Sequence, residues 1–154
     1  MVDRISRDKL AETLRQYISG RVTNDTLDDL NINNEDFGVK AIKDASWFLY
    51  DDIYEHKAVG RNRIEKENRH EVSKWIVFLQ SDEEYLWPRP SIFDKIISIL
   101  SLGLYNNQNK CDGDKEAWPF FKTDGLNNAL KNPKLFAGKA HNKNEERNTN
   151  PQAD

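Results

Sequence analysis

A mostly helical, single-domain fold is what this sequence predicts: a bundle of about five helices with an irregular C-terminal segment. Three observations point there. Apolar residues recur at helical spacing in successive stretches, residues that cap helices stand just ahead of them, and Gly, Pro or Asn clusters divide one stretch from the next. The chain has 154 residues, 37% hydrophobic and 10% aromatic, enough for one core and too little for two domains. Four Trp, five Tyr and seven Phe bring much apolar area per residue. The mean hydropathy of -0.86 therefore describes a charged surface on a chain that folds.

Ser6 is placed to cap a first helix whose Leu10, Leu14, Tyr17 and Ile18 share one face, and Gly20 stands where a left-handed C-terminal cap belongs. Thr23 is placed to cap a short second helix over 24–30, with Asp25 favourable at the positive helix end and Leu27 and Leu30 turned to the first helix. The Asn-rich stretch 31–34 breaks the pattern and offers Asn34 as the next cap. A third helix is expected from Asp36 to Tyr54, with Val39, Ile42, Leu49, Tyr50 and Ile53 on its inward side and Asp52, Glu55 and His56 opposite. After a turn at Gly60, a fourth helix over 64–81 aligns Ile64, Val72, Trp75, Ile76 and Leu79. Its second half, from Trp75 to Leu79, is apolar all round and belongs at the centre of the fold.

Trp87-Pro88-Arg89-Pro90 forces a turn, because proline lacks the amide hydrogen and disfavours helical geometry in the residue before it. Ser91 then stands as the cap of a fifth helix through Leu102, although the β-branched Ile92, Ile96, Ile97 and Ile99 keep a strand over 92–104 open. Beyond Tyr105 the text is polar, apart from Trp118-Pro119-Phe120-Phe121, which is expected to dock on the core, and a short helix over 126–130. Residues 138–154 offer almost nothing to bury and read as a disordered polar tail, leaving 1–137 as the helical domain.

The longest nearly apolar run, 96–104, is about half of the roughly 20 residues a membrane-spanning helix needs. The N-terminal residues lack a secretory apolar stretch, and the single Cys111 cannot form an intramolecular disulfide, so a cytoplasmic protein is expected. A formal net charge of -3 gives no broad attraction to nucleic acid or anionic membrane. No Gly-x-Gly-x-x-Gly, Walker loop, Gly-x-Ser-x-Gly or paired Cys-x-x-Cys occurs, and no cofactor is expected.

Three stretches, Ser19-Gly20-Arg21-Val22-Thr23-Asn24-Asp25, Trp47-Phe48-Leu49-Tyr50-Asp51-Asp52 and Lys74-Trp75-Ile76-Val77-Phe78-Leu79-Gln80-Ser81-Asp82 running on to Trp87-Pro88, carry a likeness. Over roughly residues 6–103 the chain resembles a group of small, uncharacterised bacterial proteins. The resemblance implies a bacterial source and a self-contained domain, and it brings no activity and no residue roles.

Four constellations could carry chemistry. Glu67 and His70 have the Glu-x-x-His spacing of bundle metal sites, but one motif where two are needed, turned away from the apolar stripe, reads as solvated surface. Asp52 and His56, at i and i+4 of the expected third helix, could with Glu55 ligate a metal and support hydrolysis. Cys111 lies in an acidic turn that would raise its thiol pKa, and aligning Gly113 with a calcium loop puts Gln108 and Pro119 at ligand positions, which fails. The first two helices suggest a helix-turn-helix, yet the second carries Asp25, Asp28 and Asp29, which phosphates would repel.

What remains is an edge of Trp47, Phe48, Asp51, Asp52 and Glu55, with two large aromatics near solvent beside carboxylates. The leading expectation is thus a non-catalytic interaction or accessory protein, such as an immunity-type inhibitor, whose partner is another protein with a basic surface. The alternative is a metal-dependent hydrolase using Asp52, Glu55 and His56.

Overall fold

Helix α1 (Arg4–Ile18) begins where Asp3 takes an extended conformation and its carboxylate accepts hydrogen bonds from the Ser6 backbone N–H (3.2 Å) and the Ser6 hydroxyl (2.8 Å). The computed structural model describes residues 1–33, 35–51, 53–88 and 112–132. Asp3, not Ser6, is the cap, because an ionised carboxylate is the stronger acceptor for orphan helix amides. Ser6 sits one turn inside and accepts from the Asn33 N–H at 3.0 Å. The expected face is buried: Leu10, Leu14 and Tyr17 are fully enclosed and Ile18 packs at their edge. The helix stops at Gly20, whose φ of 73° is the left-handed conformation its place demands.

Thr23 caps α2 (Asn24–Asp28), a shorter helix than expected, with Leu27 buried against α1. Asn34 lies outside the described residues; Asp36 caps α3 (Phe37–Ser46), accepting from the Gly38 and Val39 amides. Lys43 of α3 donates to the carbonyls of Asp28 and Leu30, both at 2.9 Å, and so ties α3 to the end of α2. The expected continuation of α3 to Tyr54 does not form. A 3-10 turn over Trp47–Leu49 follows instead, and Tyr50 is extended.

Helix α4 (Lys66–Gln80) is the central element. Val72, Trp75, Ile76, Val77, Phe78 and Leu79 are all buried, so the half that is apolar all round does lie in the middle, packed on α1. The aromatic knot docks on α4 as well. Trp118 meets Trp75 edge-on at 5.6 Å and Phe120 meets Phe78 at 5.2 Å, with α5 (Thr123–Leu130) following. Trp87 donates its indole N–H to the carbonyls of Pro119 and Phe120, both at 3.1 Å. The proposed helix or strand over 92–104, Cys111 and the tail 138–154 lie outside the described residues. No helix among the described residues is long and apolar enough to cross a membrane.

One polar junction holds three helices together. Arg7 of α1 is 1% exposed and Asp36 2% exposed; their side chains pair through two hydrogen bonds, Nε to Oδ2 at 2.6 Å and a terminal nitrogen to Oδ1 at 3.2 Å. The same guanidinium donates to the carbonyls of Ser81 (3.1 Å) and Glu83 (2.8 Å) beyond the end of α4, and lies over the Phe78 ring at 4.9 Å. Asp36 also accepts from the Asp3 N–H at 2.9 Å. Burial pushes the Asp36 carboxyl up; the Arg7 hydrogen bond, the Asp3 and Val39 amides and the Arg7 charge outweigh it and hold the group below the usual carboxylate range. Nothing is left for a Cβ at Gly38, which would meet Phe78 at 2.7 Å.

Candidate functional site

The segment after α3 departs from its helical pattern because a distant residue captures it. Asn24, at the start of α2, is 2% exposed. Its side-chain nitrogen donates to the carbonyls of Asp51 (3.4 Å) and Tyr54 (3.3 Å), and its Oδ1 accepts from the His56 N–H at 2.7 Å. Its backbone N–H donates to the His56 carbonyl at 3.0 Å, and Thr23 pairs with Lys57 as an antiparallel bridge. Four hydrogen bonds through one residue wrap the chain between 51 and 56 around Asn24, which a continued helix could not do. Tyr50 anchors the near end by meeting Tyr17 edge-on at 5.8 Å, and Val59 lies against Gly20 at the far end.

The helical-face argument for this region is therefore corrected. Ile53, assigned inward, is exposed, while Leu49 and Tyr50 do pack on the core. Glu55 and His56 are not on a helix, so the i, i+4 relation that linked Asp52 to His56 as metal ligands has no helical basis here. Asp52 itself lies outside the described residues. His56 is engaged locally: Nδ1 is 2.9 Å from the Tyr54 carbonyl, and its ring leans on Tyr54 at 5.1 Å. Among the described residues no three His, Cys, Asp or Glu side chains gather as a metal site, and Glu67 and His70 stand on the exposed side of α4.

Phe48 is 89% exposed and Trp47 52%. The aromatic knot of 118–121 packs on α4 instead of covering them. Ile53, Tyr54 and Val59 are exposed as well, so five of the nine large apolar side chains exposed among the described residues fall between 47 and 59. Asp51 and Glu55 are exposed on the same segment, and the Asp51 carboxylate accepts from the Ile53 N–H at 3.0 Å.

Beside this segment an open cleft of about 420 Å³ runs to the start of α4. Phe48, Leu49, Tyr50, Asp51 and His56 form one wall. The residues from Arg61 to Glu65, with Asn68, form the other. Of the expected edge, Phe48 and Asp51 line the cleft, whereas Trp47 and Glu55 do not. Arg61, Arg63 and Asn24 carry no local motif that could have marked them: the arginines follow a turn at Gly60, whose φ is 56°, and Asn24 reads as an ordinary first-turn residue.

No family model matches the chain, and no curated protein or solved structure matches it either.

Proposed function

We propose that this chain works by binding another protein through the segment 47–59. The observation that carries the reading is the concentration there of exposed Trp47, Phe48, Ile53, Tyr54 and Val59 on a backbone tied down by Asn24. Large aromatics on a pre-ordered surface supply affinity at little conformational cost, since the loop need not be fixed on binding. Asp51 and Glu55 are exposed among them, with Asp52 between in sequence, and such a rim draws a basic surface and speeds encounter. An inhibitor that masks a basic partner, in the manner of an immunity protein, fits this chemistry.

Affinity purification of the tagged chain from its native host, side by side with Trp47→Ala/Phe48→Ala, tests the reading. A partner held by the native sequence and lost from the double variant, with an unchanged melting temperature, is expected. Once that partner is in hand, Asp51→Lys/Asp52→Lys should slow its association most at low salt. The same proteins recovered with both chains would rule this surface out.

A further inference from the structure

The cleft next to that segment has a chemistry of its own, and we propose that it binds a small ligand combining a phosphate with a planar ring, of the nucleoside monophosphate class. The cleft, of about 420 Å³, is open and mostly polar, so a ligand in it would keep one side in water and be held chiefly by polar contacts. Arg61 and Arg63 both line it, and neither forms an ion pair among the described residues. Of the other described arginines, Arg4, Arg7 and Arg15 are paired with carboxylates and Arg69 donates to the Ile64 and Ile18 carbonyls, while exposed Arg21, which does not line the cleft, also forms no ion pair among the described residues. Two arginines two residues apart, lining one cleft and without an ion-pair partner among the described residues, suit the oxygens of a phosphate.

The remaining wall answers to the rest of such a ligand. Asp51 and Glu65 balance the two arginines in charge, so the lining is not a simple anion trap; it favours a molecule that also carries hydroxyl or N–H donors. Tyr54 donates to Asn62 Oδ1 at 3.1 Å, which leaves the Asn62 amide nitrogen to donate. Phe48, 89% exposed on the cleft wall, offers a ring face on which a planar heterocycle can stack. The cleft shares Phe48 and Asp51 with the proposed partner surface, but Trp47 and Ile53 do not line it; Arg61 and Arg63 lie outside the segment 47–59, so the arginine double variant tests this inference apart from the partner reading.

NMR titration of the full chain with adenosine, guanosine, cytidine and uridine monophosphates, and with inorganic phosphate and adenosine as controls, tests it. We expect saturable shifts of the Phe48 ring and of the Arg61 and Arg63 side-chain N–H signals, with a Kd below about 1 mM for at least one nucleotide. Phosphate or nucleoside alone should bind about tenfold more weakly or worse, and Arg61→Gln/Arg63→Gln and Phe48→Leu should each weaken the nucleotide about tenfold. All three positions lie at the surface, so melting temperatures should not move. Absence of saturation by about 10 mM, affinity unchanged in the arginine double variant, or equal affinity for phosphate alone would each overturn the proposal.

Discussion

Two regions of this protein are each organised by one buried polar side chain, and they end differently. Around Arg7 and Asp36 the bonded groups come from α1, α3 and the end of α4, and the neighbours are core residues such as Phe78. Around Asn24 the bonded groups all come from one loop, 51–56, and the apolar side chains of that loop face outward. The first arrangement holds the fold together; the second holds a surface in shape. A buried hydrogen-bonding group thus fixes backbone geometry in either setting, while burial of apolar area, present in one and missing in the other, determines how much of the whole depends on it.

The sharpest way to break the comparison is Arg7→Ala. It strands the Asp36 carboxylate in the interior and should cost about 3 to 5 kcal/mol. Calorimetry should show a large drop in melting temperature, and Arg7→Met with Asp36→Leu should recover only part of it, because Asp36 also caps α3. A variant as stable as the native chain would show that this junction is not what ties the helices.

Acid should act on the same junction. The folded-state pKa of Asp36 is depressed, so its contribution is complete above the ordinary carboxylate value near 3.9 and is lost as pH falls below that toward the folded value. Denaturant titrations between about pH 5 and pH 2 should show falling stability, with a shallower fall in the Arg7→Met/Asp36→Leu chain.

Asn24→Ala should be milder, about 1 to 3 kcal/mol, since it removes three side-chain hydrogen bonds to the loop near a solvent-facing edge, while the Tyr54 carbonyl keeps His56 Nδ1 at 2.9 Å. Its mark is local: hydrogen exchange at 51–57 should quicken while amides of α4 keep their protection. Equal loosening of α4 would mean that the loop is part of the core after all.

The smallest effects sharpen the boundary between the regions. Tyr17 is fully buried, and its hydroxyl finds no hydrogen-bond partner among the described residues. Desolvation pushes its pKa up to about 12. Stability from this group is complete below the ordinary value near 10 and is lost as pH rises from there through about 12. Tyr17→Phe should leave neutral stability within about 1 kcal/mol and remove that alkaline loss. Phe48→Ala, removing a ring that touches little of the core, should shift stability by no more than about 0.5 kcal/mol.

The sequence by itself determined the elements whose reasons are local. The Leu10, Leu14 and Tyr17 stripe, the stop at Gly20, the Thr23 cap and the central half of α4 follow from periodicity and from residues that satisfy helix ends within one turn. Even the docking of Trp118 and Phe120 was legible, because so much aromatic area in polar text must be buried somewhere. Trp47 and Phe48 are exposed, but a 3-10 turn places them so and not the far face of a long helix. Only the tertiary structure decided that α3 ends at Ser46, that Arg7 finds Asp36, that Asn24 gathers 51–56, and that Arg61 and Arg63 come to share a cleft with Phe48. Each of these joins residues more than a dozen positions apart, or replaces a helix's own hydrogen bonds by ones from elsewhere. A hydrophobic period records which face a segment would bury if it were helical; it does not record a distant polar side chain that offers the same backbone groups another set of partners.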